Sequence, residues 1–208
     1  MKKIQQTPSP DITEIQQLRK SLRRQRLTLS IHTRRRAEQA VVRQMRRQPH
    51  FVNAQRVGLY VDAFGEVPTG VLIQLCFNLR KAVYLPVVRS VNQPLSWSRI
   101  TRHQWQNQRM MKHRFGMKQP LMQRGVSVKA LDCLFMPLVG FDLKGHRLGM
   151  GGGFYDRTLA LSRAIGKQQN KPWRIGIAYD FQRVDNLHSN QWDIPLHAIV
   201  TQSGYRRF

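Results

Sequence analysis

Acidic side chains are scarce in this 208-residue chain: 11 Asp and Glu stand against 35 Lys and Arg, a formal net charge of +24. Such an imbalance bears on solubility and partners, not on fold. It favours an anionic partner (nucleic acid, phosphates, carboxylates or an acidic membrane surface) without choosing among them. Cysteine is scarcer still. Cys76 and Cys133 lie far apart with no CxxC spacing, which excludes a disulfide framework and a Cys-rich zinc site and suits a reducing, cytoplasmic setting. Long apolar runs are missing. The nearest approach, residues 126–143, is interrupted by Lys129, Asp132 and Pro137, so no membrane-spanning helix is expected. The first 18 residues carry basic groups but no apolar stretch of the secretory kind. There is no internal repeat. The seven histidines form no HxxxH or HExxH pair, which argues against zinc. No GxSxG supports a serine hydrolase, and no RNP, KH or zinc-finger pattern is found.

What is present reads as globular. Hydrophobic residues make up 41% and aromatics 9%, and the length suits one domain with a sizeable core. Residues 1–12 hold two prolines and no periodicity, and read as a disordered tail ahead of a single domain over 13–208. Thr13 is placed to cap a helix from about Glu14, with Ile15, Leu18 and Leu22 at helical spacing. Ser30 is placed to cap a second, with Ala37, Ala40, Val41 and Met45 on one face and a stop at Pro49. From Arg19 to Arg47 run eleven Lys and Arg and one acid, Glu38. This run is either a solvated helix face or an anion-facing surface.

From residue 56 the rhythm changes. Arg56–Val61 reads as a buried strand, Val71–Leu79 as a helix and Ala82–Val88 as a second strand, a parallel βαβ unit. A short hairpin is expected near Leu95–Ile100. Leu131–Val139, Arg174–Tyr179 and Ala198–Thr201 read as further strands, and Phe154–Ile165 as a helix. The fold class is therefore α/β, a mostly parallel central sheet flanked by helices, with a basic N-terminal helical segment. The four tryptophans, 97, 105, 173 and 192, read as packing or pocket-wall residues.

The chemistry concentrates in Gly140–Arg157, GFDLKGHRLGMGGGFYDR. Gly149, Gly151, Gly152 and Gly153 fall between an apolar strand and a helix start. Glycine permits positive φ and lets a ligand approach main-chain N–H groups, and the first N–H groups of a helix have no internal partner. Arg147 adds a cation suited to phosphate. No Lys-Ser or Lys-Thr follows, so this is not a P-loop, and GxGxxG is met only in part. On the glycines alone, an anion cradle and a plain turn with Asp156 complementing the helix dipole are equally supported.

The whole string narrows this. FDxxGxRLGxGGGxYDR, from Phe141 to Arg157, resembles the signature of the 5-formyltetrahydrofolate cyclo-ligase (5,10-methenyltetrahydrofolate synthetase) family. The likeness runs from about residue 15 to 201. It takes in Leu18, Arg19, Arg23 and Ser30; Glu66 to Thr69; Leu85-Pro86; Phe115 to Pro120; Asp132 to Asp142; Gln182; Asp193 to Leu196; and Ile199 to Thr201. The chain departs from the family pattern at Ile15, Pro68, Gln119, Met150, Gly152, Phe154 and Leu187-His188.

The resemblance implies ATP- and Mg²⁺-dependent conversion of 5-formyltetrahydrofolate to 5,10-methenyltetrahydrofolate, with release of ADP and phosphate. The formyl oxygen is phosphorylated and N10 then closes the ring. Positioning and charge neutralisation are the main demands of phosphoryl transfer. The resemblance places ATP on Arg19 and on the loop Arg147, Leu148, Gly149, Met150, Gly151, Gly152, Gly153, Phe154 and Tyr155. It places the reduced folate, polyglutamylated or not, on Val61, Glu66 and Met150 to Phe154. Asp156 and Asp193 become the magnesium carboxylates. Arg147 and Tyr155 stand nearest the transferring group, Tyr155 as a stacking or hydrogen-bonding residue and not a general base. The competing reading is a basic nucleic-acid-binding α/β module without catalytic activity, which predicts salt-sensitive binding. Under the enzyme reading, nucleic acid is met only by weak, charge-driven contact.

Overall fold

The computed structural model describes residues 12–113, 116–121, 125–163 and 171–208. The tail expected over 1–12 falls outside these residues except for Ile12, and Phe115 falls outside them too. The first helix, α1 (Ile12–Thr28), takes in Ile12 and Thr13 and so begins ahead of the expected start near Glu14. Ser30 caps α2 (Ile31–Met45) as expected, its Oγ accepting the Thr33 N–H at 3.1 Å. Pro49 does not stop this helix, which closes at Met45. Proline's fixed φ and missing N–H suit a first helical position, and Pro49 opens the short α3 (Pro49–Val52).

The expected βαβ unit follows as β1 (Arg56–Gly58), α4 (Gly70–Asn78) and β2 (Ala82–Val87), with β1 and β2 parallel. The segment near Leu95–Ile100 is not a free hairpin. It forms β3 (Ser96–Ile100), which runs antiparallel along the full length of β2. After α5 (Arg102–Gln106), β4 (Met110–Lys112) pairs with β5 (Lys118–Pro120). Then come β6 (Cys133–Pro137) and the small hairpin β7 (Gly140–Phe141) with β8 (Arg147–Leu148). The last elements are α6 (Phe154–Arg163), β9 (Trp173–Ile177), β10 (Ala198–Val200) and β11 (Tyr205–Arg207). Seven strands form one sheet in the order β11-β10-β9-β6-β1-β2-β3. Five central strands are parallel, and β3 and β11 are the antiparallel edges.

Alternation along the strands splits the core into two layers, because successive strand side chains point to opposite faces. Val83, Leu85, Cys133, Phe135, Ala198 and Val200 pack with α2 and α4. Tyr84, Leu134, Met136 and Ile199 pack on the other side with Leu159 of α6 and the buried Trp97. A third cluster, Leu22 with Val139, Leu148 and Leu187, has Ile15 and Leu18 packed against it. It seats α1 on the loops that leave the carboxyl end of β6. Trp192 departs from the packing role expected of the tryptophans, being 67% exposed. No helix among the described residues is long and apolar enough to cross a membrane.

Candidate active site

In an open α/β sheet the ligand crevice lies beyond the carboxyl ends of the strands, where the winding direction reverses. Here that point falls between β1 and β6. The expected strand 56–61 leaves the sheet at Gly58 and becomes a tightly bonded loop. Thr69 Oγ1 donates to the Tyr60 carbonyl at 2.6 Å, and the Thr69 N–H donates to Asp62 Oδ1 at 3.3 Å. The Ala63 N–H donates to Glu66 Oε2 at 3.0 Å. Gly65 has φ +78°, and a Cβ there would lie 2.8 Å from the Arg26 carbonyl oxygen. Glu66 is thereby held with only 11% of its side chain exposed. Burial pushes its carboxyl up to about 7, against the pull of Arg26 and of the Ala63 N–H. Burial also raises the hydroxyls of Tyr60 and Tyr155, and the Glu66 charge raises both further.

Arg26 is the residue that sequence reasoning missed. Its side chain is 1% exposed. Its Nε donates to the Phe64 carbonyl at 2.9 Å and its Nη1 to the Leu138 carbonyl at 3.2 Å. One guanidinium thus ties α1 to the Glu66 loop and to the end of β6. Nη1 lies 3.9 Å from Glu66 Oε1, an ion pair too long to be a hydrogen bond. A signal was present in the sequence. Ile15, Leu18, Arg19, Leu22 and Arg26 share one helical stripe, and an arginine at a stripe position asks for a buried acceptor.

The glycine loop is built on the β7–β8 hairpin. Asp142, fully buried, accepts the Lys144 and His146 N–H groups, each at 2.9 Å, and the Leu187 N–H at 3.1 Å. It also accepts His146 Nδ1 at 2.9 Å. These donors hold its carboxyl below the usual range against the opposing effect of burial. Gln182, also buried, donates to the carbonyls of Leu138 and Val139 at 2.9 and 2.8 Å. Asp142 and Gln182 are therefore struts of the loop. Leu148 buries its side chain beside Leu22 and so offers the loop its backbone.

Beyond β8, Gly151 (φ +94°) and Gly153 (φ +62°) take left-handed conformations. A Cβ at Gly149 or Gly151 would meet nothing within 4 Å, so the loop opens onto free space there. Arg19 Nε donates to the Gly149 carbonyl at 3.0 Å across 130 residues of sequence. Arg157 Nη2 bonds the Gly152 carbonyl at 2.6 Å, and its guanidinium lies over the Phe154 ring. Met150 is 46% exposed. Asp156 falls in the first turn of α6. Arg147 bonds both Asp156 Oδ1 and the Ile194 carbonyl, so it links α6 to the segment that carries Asp193. Asp193 Oδ2 accepts the Asn190 N–H at 2.8 Å.

The fold thus brings together Arg19, Arg147, the loop 149–153 and Asp156, with Asp193 one residue from an Arg147 contact. Val61 and Glu66 stand apart, on the β1–α4 loop, and Val61 packs on the α2–α4 side of the sheet while Phe154 packs on the other. Tyr155 joins the two groups, since both Glu66 and Arg147 act on its hydroxyl. Among the described residues no three His, Cys, Asp or Glu cluster as a metal cage. The two acids expected to hold Mg²⁺ are each bonded within the protein, Asp156 to Arg147 and Asp193 to the Asn190 N–H.

Residues 11–202 match the pattern of the 5-formyltetrahydrofolate cyclo-ligase family. The 5-formyltetrahydrofolate cyclo-ligase of Haemophilus influenzae is 37% identical over 194 residues, covering 89% of this chain and 96% of that protein. The Escherichia coli protein of the same name is 36% identical over 185 residues, covering 88% and 97%. The NMR structure of Aquifex aeolicus 5,10-methenyltetrahydrofolate synthetase superposes with a TM-score of 0.76 at 31% identity, covering 93% of this chain and 92% of that one.

Proposed function

The chain belongs to the 5-formyltetrahydrofolate cyclo-ligase family, and from that premise we propose how its residues divide the work of converting 5-formyltetrahydrofolate to 5,10-methenyltetrahydrofolate. The observation that carries the assignment is the first turn of α6. Tyr155 and Asp156 are consecutive: the Tyr155 hydroxyl feels both Glu66 and Arg147, and Asp156 bonds Arg147. A formyl group held near Tyr155 therefore lies between a folate pocket and a phosphate loop.

Glu66 takes the N–H donors of the pterin. A buried carboxylate that accepts paired N–H donors has its charge stabilised, so folate binding draws the Glu66 pKa down from about 7. Val61 and the loop from Met150 to Phe154 border the folate. ATP phosphates meet the N–H groups of Gly149 to Tyr155, with Arg19 fixing the loop's first carbonyl. Arg147 holds Asp156 in place and faces the developing charge. Asp156 and Asp193 would hold Mg²⁺, which supplies neutralisation of phosphate charge. Tyr155 positions the formyl group. Its raised hydroxyl stays protonated at neutral pH, so it donates a hydrogen bond and accepts no proton. Residues 13–208 serve as one catalytic unit. Cys76 and Cys133 are buried free thiols, in keeping with a reducing cytoplasm.

The test is the absorbance of methenyl-folate formed from 5-formyltetrahydrofolate with ATP and Mg²⁺. The full chain should produce it only with both present, and Asp156→Ala should abolish the ATP-dependent rate. A folded protein without that absorbance gain would refute the assignment.

A further inference from the structure

Two arginines of α1 reach the site at points far apart. We propose that Arg26 is a positioning residue for both ligands, and that through it α1 couples the two sites so that each ligand tightens the other. This rests on the reading above, with folate at Glu66 and ATP phosphates on the loop 149–153. Arg19 and Arg26 are seven residues apart on one helix, about 10.5 Å along its axis and close to two full turns, so they share a face. Arg19 ends on the Gly149 carbonyl of the glycine loop. Arg26 ends on the carbonyls of Phe64 and Leu138. Between them Leu22 fits against Gly140, where a Cβ would lie 3.0 Å from the leucine Cδ1. Little else fastens the helix: among the described side chains of α1, only Leu22 and Arg26 are buried. A helix with so few buried contacts has low local stability, and the bonds that seat this one go to both ligand loops.

The Arg26 guanidinium is not fully used. Its Nη2 is buried without a hydrogen-bond partner, and its Nη1 stands 3.9 Å from Glu66 Oε1. A buried donor with no acceptor costs free energy. Pterin N–H donors stabilise the Glu66 carboxylate, and a charged Glu66 gives that donor reason to close. Phe64 shows a second tension. Its φ of +51° is costly for a residue with a Cβ, and Arg26 Nε holds its carbonyl there at 2.9 Å. The turn that presents Glu66 therefore depends on a seated α1. Phosphates on the glycine loop fix Gly149, hence Arg19, hence α1, and a seated α1 holds Phe64 and Glu66. Folate at Glu66 acts on the glycine loop through the same contacts, since coupling between two binding sites is reciprocal.

Titrations measure the coupling directly. The Kd of β,γ-imido-ATP with Mg²⁺ is determined without and with saturating 5-formyltetrahydrofolate, and the Kd of the folate without and with the nucleotide. Each ligand should tighten the other about tenfold, by the same factor. Arg26→Gln should bring the factor close to one, whatever it does to either affinity alone. Arg24→Gln, an equal loss of charge on the exposed face of α1, should keep it. Hydrogen exchange of the wild-type chain tests the same coupling without relying on a variant that folds. The nucleotide alone should slow the amides of residues 60–66, the folate alone those of 149–153, and each should slow those of α1. Weaker affinities with an unchanged factor in Arg26→Gln would make Arg26 a strut only and overturn the coupling. So would a factor near one in the wild type, or protection confined to each ligand's own loop. A folded wild-type chain that binds neither ligand would overturn the enzyme reading itself, and the coupling with it.

Discussion

Replacement of Glu66 by glutamine should stabilise the protein and damage its function. In the folded chain the Glu66 carboxyl titrates near 7, against 4.5 for an unburied glutamate. Between these values the folded state holds a proton that the unfolded state has released, so stability falls as pH rises through this window. The displacement corresponds to about 3 kcal/mol once the group is ionised in both states. Glutamine resembles the protonated acid and keeps an oxygen for the Ala63 N–H. Glu66→Gln should therefore be more stable than wild type at pH 8.5, by roughly 5–10 °C in Tm for a chain of this size. The gain should vanish near pH 4, where both side chains are neutral. In the methenyl-folate assay the same variant should lose about 10- to 100-fold in kcat/KM, the cost of leaving polar donors poorly matched. Thermal melts by circular dichroism at the two pH values decide the first part. If Glu66→Gln melts below wild type at pH 8.5, the Arg26 pairing outweighs burial and the reasoning fails.

Two loop glycines should separate space from conformation. Gly151→Ala forces a side chain to φ +94° and should cost about 1–2 kcal/mol in urea unfolding. Gly149→Ala has open space around it and should leave stability within about 0.5 kcal/mol while raising KM for ATP. Asp142→Ala removes the acceptor of three backbone N–H groups and His146. It should cost about 3 kcal/mol or more, read as a lower urea midpoint. His197 is held down to about 4 by burial and then by the charges of Arg174, His50 and Arg207, and its Nδ1 accepts the Arg174 N–H. The unfolded chain takes up this proton first, so the stability His197 contributes is complete above pH 6.5 and is lost as pH falls toward 4. A Tm that drops over that window in wild type, and drops less in His197→Phe, is the expected result.

Much of the site was legible because its key segment is local. From Phe141 to Arg157 the turn residues, the glycines and the helix start are contiguous, and each takes its conformation largely from its neighbours. The same holds for Ser30, whose cap acts within three residues, and for the βαβ unit, whose periodicities change within one stretch. The elements misjudged are those settled by distant partners. Ser96–Ile100 became an edge strand because β2 offered it a free side. Tyr205–Arg207, where no element was expected, is a strand because β10 lies beside it. Pro49 carries the same chemistry as a stop or a start, and the packing of Phe51 in the core decided for a start.

The sequence by itself determined the residue types of the site and their local shapes: a glycine loop able to take positive φ, an acid in the first turn of a helix, and a cationic excess. Only the tertiary structure decided which charges meet. Arg19 reaches Gly149 across 130 residues, and Arg26 reaches Leu138 across 112. Glu66 owes its raised pKa to burial, which outweighs the pull of Arg26 from α1 and of the Ala63 N–H. The physical reason is that conformation is a near-neighbour property of the chain, whereas burial and electrostatic work depend on distances in space. For the scarce acids of this protein, that difference separates an ordinary surface carboxylate from one buried and titrating near 7.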